Sequence, residues 1–402
     1  MTLSVTTAKA ISTDYLFSMY FEPLLDPDNY FKAFHKIKSV SGWKDSTQHY
    51  GLNLSRNILT LIREVEQGTY KPDPFNVFTL NERGHIRLVK ALTVRDSLLQ
   101  HVLCDDVLIP NLRPYLIYDN GASLKEKGIS FTRSRFETHL RKYMAQYGTE
   151  GYILKVDFRK FFDNIPHEPL VQSIISKLPD ARLESLLRIM LKAHETDISY
   201  ITEPDERKII FNSLEAQKIP KELLTGQRFL HKGLGIGAPV SQIAGIYYPT
   251  PIDTWCKIVR QCKYYGRYMD DIYIIERDKI RLQFLLEEIK DQADKLGLYI
   301  HPNKTQITKL SHGFTFLKTK YILTSSHRII KRLVRENIIR EKQKITHLAE
   351  LVRLEVITPD VLINQFRSWI GDKNKYQSRK SLNLLTNFYK KELNNAIRNK
   401  RR

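Results

Sequence analysis

The sequence predicts an α+β fold with antiparallel strands and a helical C-terminal region. Two stretches, residues 75–91 and 264–275, have the pattern of β-hairpins, in which aromatic and β-branched residues flank a short turn. Residues 279–296 carry leucine and isoleucine at three-to-four spacing, which is typical of an amphipathic helix. Residues 331–402 are predicted to be mainly helical as well.

Composition and charge favour a nucleic-acid partner. The chain has 402 residues, enough for two or three sub-domains, and its 64 Lys and Arg against 44 Asp and Glu give a net charge of +20. Three cysteines, without metal-ligand spacing, indicate a reducing cytosolic setting. The sequence has neither a secretion signal nor an apolar stretch near the roughly 20 residues that span a bilayer, so we expect no membrane association.

Two adjacent carboxylates, Asp270 and Asp271, lie at the predicted tip of the second hairpin. Like charges side by side cost free energy unless a cation neutralises them, and carboxylate oxygens suit Mg²⁺. A second pair, Asp105-Asp106, lies within helical spacing and is interpreted as part of a solvated helix face. The hairpin context therefore makes Asp270 and Asp271 a candidate metal site.

The first hairpin follows 72 residues that are predicted to be helical. A helix is expected from about Val94 to Leu108, with its end near Pro110. Two interpretations remain open for the basic residues of this region: they are edge-strand charges that prevent aggregation, or they form a cationic clamp for a triphosphate. These residues are Arg87, Lys90 and Arg95.

A third candidate carboxylate, Asp157, ends an apolar strand predicted at residues 152–156. A strand end beside a turn is rigid yet accessible, which suits a metal ligand. Before it, a basic loop at residues 118–136 leads into a helix of roughly residues 132–147 and suits a phosphate backbone. After it, residues 163–164 are interpreted as a turn.

The next segment, residues 169–230, is predicted to be a mostly helical connection without a motif. Gly233, Gly235 and Gly237 then form a loop that opens a helix reaching about Val259. Glycines let the backbone approach a ligand closely, and a helix N-terminus favours anions.

The C-terminal part begins with two predicted short strands, at residues 314–318 and 321–323, and a further helix starts near Thr358. The tail, residues 331–402, contains 18 Lys or Arg and 7 Asp or Glu. This concentration of positive charge favours contact with nucleic acid.

These features occur in one order: a basic hairpin, a strand-end Asp, a glycine loop entering a helix, a Tyr-x-Asp-Asp hairpin, and then a lysine and a strand pair. In this order they resemble a reverse transcriptase, from about Arg87 to Lys331 and more loosely through the tail. The resemblance implies a right-hand polymerase, with fingers in residues 1–150, an antiparallel-sheet palm in 151–330 and a helical thumb in 331–402.

The resemblance also implies a role for each matching residue. Asp157, Asp270 and Asp271 match the catalytic carboxylates, which would hold two Mg²⁺ ions, or Mn²⁺ in their place, with the backbone of Phe158 in the same shell. Lys304 corresponds to a lysine that protonates the departing pyrophosphate.

Substrate contacts are implied in the same way. Phe162, five residues after Asp157, matches the family's steric gate, where a bulky ring excludes the 2′-hydroxyl of ribonucleotides. The other positions expected to bind nucleotide are Arg87, Lys90, Arg95, Ile236 and Gly237. The positions that match the primer grip are Phe316 and Leu317. The implied partners are an RNA template, the DNA product and deoxynucleoside triphosphates.

Departures from the family pattern indicate a particular type. Ile236 replaces a glutamine of the motif Gly-x-Pro-Gln-Gly, and Lys318-Thr319 replaces a glycine-aromatic pair. These departures resemble the short bacterial enzymes of diversity-generating retroelements and of abortive-infection and other defence systems. We therefore expect a cytoplasmic bacterial enzyme that copies a dedicated non-coding RNA in antiphage defence. No room is expected after the thumb for a nuclease or integrase domain.

Several alternatives stay open at this point. The enzyme could serve a diversity-generating or retron-type system, or could synthesise DNA without a template or from a tyrosine of the protein itself. A catalytically silent RNA-binding scaffold would have the same charge. An accessory protein or a homo-oligomer is compatible with all of these.

Overall fold

The computed structural model describes residues 19–82, 85–197 and 229–398. Helices predominate in these ranges, and every strand pair within a sheet is antiparallel, which confirms the α+β class. Among the helices of these ranges, we find none that combines the length and the apolar character needed to cross a bilayer.

Three helices form the first part of the described chain. The Asp26 side chain caps the first of them by accepting a hydrogen bond from the N–H of Asp28. The third buries an apolar face that includes Ile58 and Leu61. These helices are α1 (Pro27–Ser41), α2 (Asp45–Leu52) and α3 (Leu54–Glu66).

The predicted first hairpin is present and leads into a long helical segment. The helical segment continues through π-helical turns at Leu103–Leu108 to a last turn at Ile109–Leu112, so it runs two residues past Pro110. The wider turns accommodate a proline, which has no backbone N–H to donate. The elements are β1 (Asn76–Glu82), β2 (His85–Ala91) and α4 (Val94–Val102).

The strand that precedes Asp157 is also where the sequence predicts it, and the helix before it packs on the sheet. Residues 163–164 form part of a short helical turn rather than a simple turn. Residues 198–228 of the predicted helical connection lie outside the described residues. The elements are α5 (Ile129–Tyr147), β3 (Tyr152–Val156), α6 (Phe161–Asn164), α7 (His167–Ile175), α8 (Ala181–Lys192), β4 (Thr196–Asp197) and β5 (Phe229–Leu230).

The glycine loop opens a helix, as predicted, but the helix does not run unbroken to Val259. It ends at Tyr247, and a new segment begins at Thr250 and finishes in π-helical turns at Trp255–Val259. Pro249, which lacks an N–H, lies at the break. The elements of this region are α9 (Pro239–Tyr247), α10 (Thr250–Thr254), β6 (Tyr264–Tyr268), β7 (Asp271–Glu276), α11 (Lys279–Lys295) and β8 (Gln306–Lys309).

The central sheet has four strands in the order β6-β7-β3-β8. Strand β8 was not predicted, because its residues Gln306–Lys309 are mostly polar and lie at the sheet edge. Helix α5 covers one part of the sheet through Phe136 and Leu140, which pack in one cluster with Tyr273. Helix α11 buries Leu282 in the other main cluster.

A three-stranded sheet and three helices complete the described chain. The sheet order is β11-β10-β9. Strand β11 reaches Leu333, so helical structure begins at Arg335 instead of residue 331. The helices bury a separate apolar cluster around Ile345 and Phe366. The elements are β9 (Phe314–Phe316), β10 (Thr319–Leu323), β11 (Ile329–Leu333), α12 (Arg335–Arg353), α13 (Pro359–Lys373) and α14 (Arg379–Arg398).

Candidate active site

Strand pairing brings two of the candidate carboxylates together at one end of the central sheet. The antiparallel register of β3 and β7 pairs Val156 with Ile272. Continued by one residue, this register sets Asp157 opposite Asp271, where paired Cα atoms are about 5 Å apart. Asp270 lies next to them in the turn between β6 and β7. The sheet therefore joins carboxylates from distant parts of the chain.

The environment of Asp271 disfavours its negative charge. Burial, followed by the nearby charges of Asp270 and Asp157, raises the pKa of Asp271 to about 7. The charges of Lys155 and Lys304 act in the opposite direction. An added cation would therefore favour the charged form of the carboxyl group.

Asp157 has a fixed backbone and a side-chain oxygen without a hydrogen bond. Its carbonyl accepts from the N–H of His301 at 2.8 Å, and its N–H donates to Thr305 Oγ1 at 3.4 Å. Asp157 Oδ1 is buried and accepts no hydrogen bond from the described residues. Lys304 Nζ lies 3.6 Å from that oxygen, within ion-pair distance.

A cavity of about 280 Å³ opens beside these carboxylates. Asp157 and Asp271 line it together with Lys304, and so do Phe316 and Leu317 from the turn between β9 and β10. Two of the three predicted carboxylates, the predicted proton donor and the predicted primer-grip residues thus line one cavity, and Asp270 is not among the residues that line it.

The acidic residues have the oxygen ligands that a divalent cation needs. Their carboxylate oxygens would have to move closer together to bind one ion. Among the described residues, no group of three His, Cys, Asp or Glu side chains is arranged to hold a metal ion. The Asp157 oxygen without a hydrogen bond and the raised pKa of Asp271 nevertheless mark negative charge that Lys304 and Lys155 compensate only in part. Oxygen ligands of this type are those that Mg²⁺ prefers.

A buried ion pair holds the β6–β7 hairpin in place, and the sequence alone does not reveal this pair. Arg267 and Asp253 are both fully buried, and Arg267 Nη2 lies 2.6 Å from Asp253 Oδ2. The same guanidinium donates to the carbonyl oxygens of Ile246 at 2.8 Å and Met269 at 3.1 Å. Met269, with φ of +52°, directly precedes Asp270. The ion pair therefore fixes the turn that presents the carboxylates. The one signal in the sequence was an arginine inside an apolar strand.

Phe162 is held against the glycine loop and the helix that follows it. The carbonyl of Phe162 accepts from the N–H of Leu234 at 3.0 Å, and the carbonyl of Ile165 accepts from the N–H of Gly233 at 2.9 Å. A Cβ atom at Gly245 would lie 2.9 Å from Phe162 Cε1, so only glycine leaves room for this ring. The half-buried ring therefore has a defined position.

Gly235 of the glycine loop packs against the His194 ring. A Cβ atom at Gly235 would come within 2.5 Å of His194 Cε1. The His194 ring stacks on Phe75 at 4.8 Å between centroids, and burial, followed by the charges of Lys90 and His167, lowers its pKa to about 4. Beyond this contact, Ile236 is partly exposed and Gly237 has φ of +100°. These two residues were predicted to bind nucleotide.

The basic residues predicted to bind a triphosphate have different surroundings. Arg87 lies on β2, and its side chain is outside the part that the structure describes. Lys90 Nζ lies 6.0 Å from the centre of the Phe75 ring, and burial lowers its pKa. Arg95 forms ion pairs with Glu64 and Asp96, and its Nη1 lies 3.6 Å from Asp73 Oδ1.

The predicted primer-grip turn is strained and anchored from a helix. Leu317 and Lys318 have φ of +43° and +62°, values that non-glycine residues rarely adopt. Arg133 of α5 donates from Nη2 to the Leu317 carbonyl at 2.5 Å. Phe316 is buried against Phe136. Arg133 is another residue that sequence analysis did not single out.

Phe158 and Lys155 complete the surroundings of Asp157. The Phe158 side chain is buried in the main apolar cluster, so only its backbone is available to the site. Lys155 Nζ donates to the Thr315 carbonyl at 3.0 Å, and the side chain lines the same cavity as the carboxylates. Alternation along β3 puts Lys155 on the same face as Asp157.

Comparison with known proteins gives one family. A family model described as reverse transcriptase (RNA-dependent DNA polymerase) matches residues 71–321. The group II intron-encoded protein LtrA of Lactococcus lactis subsp. cremoris, and its counterpart in strain MG1363, are each 25% identical over 187 residues. That alignment covers 45% of this chain and 30% of each relative, so the chain matches less than a third of their length.

A comparison with solved structures also gives a match, at lower sequence identity. A structure of telomerase from Candida albicans, in complex with a TWJ fragment of telomeric RNA, has a TM-score of 0.43 and 11% sequence identity. The superposition covers 81% of this chain and 59% of the telomerase chain.

Proposed function

Because this chain belongs to the reverse transcriptase family, we propose that it is an RNA-directed DNA polymerase that adds deoxynucleotides to a primer. One observation carries the proposal: Asp157 and Asp271 line the same cavity as Lys304 and the β9–β10 turn. Such a cavity offers acidic groups for metal, a basic group for phosphate and a wall for the primer end.

The three carboxylates are the proposed metal ligands. Asp157, Asp270 and Asp271 would hold two Mg²⁺ ions, or Mn²⁺ in their place, with the backbone of Phe158 as a further ligand. When bound, the cations supply charge that activates the primer 3′-hydroxyl and neutralises the triphosphate. Lys304 would donate a proton to the departing pyrophosphate, and its 3.6 Å distance from Asp157 supports this role.

The incoming nucleotide would lie between the glycine loop and the first hairpin. Phe162, supported by Gly245, would exclude a 2′-hydroxyl, and Ile236 and Gly237 would contact the nucleotide. Arg87 and Lys90 would bind the triphosphate. Arg95 would contact the nucleotide too, and its ion pairs with Glu64 and Asp96 support a second role, in fixing the base of the hairpin.

The remaining parts follow the right-hand organisation of the family. We assign fingers to residues 1–150, a palm to 151–330 and a basic thumb to 331–402. Phe316 and Leu317 would hold the primer end, since both line the cavity with the carboxylates. The template would be RNA and the product DNA.

The biological role that we favour is bacterial antiphage defence, in the cytoplasm, with a dedicated non-coding RNA as template. The departures at Ile236 and Lys318-Thr319 support a specialised enzyme of this kind. Sequencing of RNA and DNA that copurify with the protein tests this assignment. A single abundant RNA, with DNA complementary to it, is expected. A variable copied sequence would favour a diversity-generating system, and RNA joined to DNA a retron-type system.

Primer extension by the purified protein tests the activity itself. With an RNA template, an annealed DNA primer, Mg²⁺ and four deoxynucleotides, the primer should lengthen to the end of the template. Product formed without template would contradict RNA-directed synthesis. Product that stays bound to the protein after denaturation would indicate a tyrosine primer, and no product under any condition would indicate a silent scaffold.

A further inference from the structure

A second cavity, of about 460 Å³, lies where helix α5, the β9–β10 turn and the C-terminal helices meet. We call it the basic pocket. Its size is within the range of sites that bind small molecules. The lining residues used below are Arg133, Lys318, Arg340, Lys344, Trp369 and Lys373.

Positive charge in the basic pocket exceeds negative charge. Among the described side chains that line it, Glu341 is the single acidic one, and it is buried and accepts a hydrogen bond from Gln365 Nε2. Arg340 donates to two neutral oxygens, the Glu336 carbonyl at 3.0 Å and Asn337 Oδ1 at 3.2 Å. The excess charge suits an anionic ligand.

Arg133 adds a hydrogen-bond donor that has no acceptor. Its Nη1 and Nη2 donate to neutral groups, the Tyr376 hydroxyl at 3.2 Å and the Leu317 carbonyl at 2.5 Å. Its Nε is buried and has no acceptor among the described residues. A buried unsatisfied donor is costly, and a ligand oxygen would satisfy it.

Trp369 gives the pocket an aromatic wall. The ring is partly buried, and Lys373 Nζ lies 5.9 Å from its centre. Phe366 lies nearly parallel to Trp369, with 6.5 Å between ring centres, and supports it from the apolar cluster between the C-terminal helices. An aromatic face next to several cations is the combination that binds an unpaired base with its phosphate.

We propose that the basic pocket binds one nucleotide of a single-stranded nucleic acid, with the base against Trp369 and the phosphate between Arg340 and Lys344. A duplex keeps its bases stacked inside and cannot offer one to Trp369. The pocket adjoins the site of catalysis, because Leu317 lines the carboxylate cavity and the next residue, Lys318, lines the basic pocket. The inference rests on the proposed function only for the identity of the strand, since binding itself requires no catalysis.

Fluorescence of Trp369 tests this proposal directly. The chain has three tryptophans, so replacing Trp43 and Trp255 with phenylalanine leaves Trp369 as the only one. The probes are a ten-nucleotide oligo(dT), an oligo(U) of equal length, a blunt-ended DNA duplex, and dTTP. We expect saturable quenching by either single strand and weak quenching by the duplex and by dTTP. Equal quenching by the duplex or by dTTP would overturn the assignment to a strand.

Two matched lysine substitutions on helix α12 distinguish binding in the basic pocket from attraction by the overall positive charge. Lys344→Ala should weaken oligo(dT) binding about five- to tenfold. Lys342→Ala removes the same charge two residues away, where Lys342 Nζ lies over the Phe388 ring, and should leave binding unchanged. Equal weakening by both substitutions would contradict a defined pocket.

The protein with Trp369 as its one tryptophan also allows the basic pocket to be tested separately from the proposed polymerase activity. In an Asp270→Asn variant, quenching should persist while primer extension is lost. Absence of primer extension in the parent protein with Trp43→Phe and Trp255→Phe alone, with quenching intact, would overturn the polymerase and keep the pocket. Normal extension without any Trp369 quenching would overturn the pocket and keep the polymerase.

Discussion

At the scale of single residues, the site is defined by negative charge that the protein compensates only in part. Asp271 has its pKa raised to about 7 by burial and by Asp270 and Asp157, while Lys304 and Lys155 offset only part of this effect. Such an arrangement is unfavourable for folding and favourable for binding a cation. The cost to stability at this end of the sheet is therefore what the proposed metal site would explain.

Phe162 gives the sharpest prediction for substrate choice. Phe162→Ala removes the ring that contacts Gly245, and we expect incorporation of ribonucleotides relative to deoxynucleotides to rise at least about tenfold, a change of about 1.4 kcal/mol in discrimination. Single-nucleotide extension with dTTP and UTP measures the ratio. Phe161→Leu, a change in the neighbouring core ring, is the control and should leave the ratio unchanged. An unaltered ratio in Phe162→Ala would remove the steric-gate role.

The candidate carboxylates could be found from the sequence, because acidic residues at a turn or strand end contradict the local apolar pattern. Asp157 and Asp270 both stand out in this way. Arg267 and Asp253 could not be paired, since sequence does not show that a helix and a strand bury them together. The neighbours of Arg95 were hidden for the same reason, because Glu64 and Asp73 approach it only after folding.

At the scale of elements, the position of the β6–β7 hairpin depends on a buried ion pair and not on its turn alone. Asp253 accepts from Arg267 and also from the Tyr265 hydroxyl at 2.5 Å. Both ionic side chains are fully buried, so removing one leaves the other without compensation. The hairpin therefore keeps its position only while the pair is intact.

Asp253→Asn tests this dependence. Because a buried Arg267 would lose its counter-charge, we expect the free energy of unfolding to fall by about 3–5 kcal/mol. Urea denaturation measures the loss. The control is Arg188→Ala, which breaks an exposed pair with Glu168 and should cost less than about 1 kcal/mol. Similar losses in both variants would show that the buried pair contributes no more to the free energy of unfolding than an exposed pair does.

The contact between the glycine loop and His194 predicts a pH dependence. Burial lowers the His194 pKa to about 4, against an unfolded value of about 6.5, so the unfolded chain binds the proton more readily. The stability from this histidine is full above pH 6.5 and is lost as pH falls toward 4. The loss is at most about 3 kcal/mol.

Thermal unfolding between pH 7 and pH 4.5 measures this effect. In His194→Gln, the decrease of the melting temperature with falling pH should be smaller than in the wild-type protein. Because the slope is compared rather than the absolute stability, a general loss of packing does not affect the result. An unchanged slope would show that His194 does not titrate as proposed.

Elements with clear periodicity were predictable and edge elements were not. The two hairpins, the strand before Asp157 and helix α11 follow from alternation or from three-to-four spacing. Strand β8, Gln306–Lys309, escapes because an edge strand needs few apolar residues. Strand β11, Ile329–Leu333, was not predicted because one lysine and one arginine interrupt its apolar pattern.

At the scale of the whole molecule, excess positive charge predicts salt-sensitive binding. With a net charge of +20, the protein should bind an RNA–DNA hybrid mainly through phosphates. We expect the dissociation constant to rise at least about tenfold between 50 and 200 mM salt. Fluorescence anisotropy of a labelled hybrid measures it. A dissociation constant that stays flat over this range would contradict the assignment of the basic tail as a thumb.

The molecule as a whole brings acidic residues from two distant segments to one end of a sheet, and the catalytic account depends on this meeting. The measurement that tests it most directly is Mg²⁺-dependent deoxynucleotide incorporation by three proteins: wild type, Asp157→Asn, and Asp106→Asn from the other Asp-Asp pair. We predict that Asp157→Asn lowers the rate at least about a hundredfold, while Asp106→Asn leaves it unchanged. Incorporation by a folded Asp157→Asn variant at the wild-type rate would contradict the account.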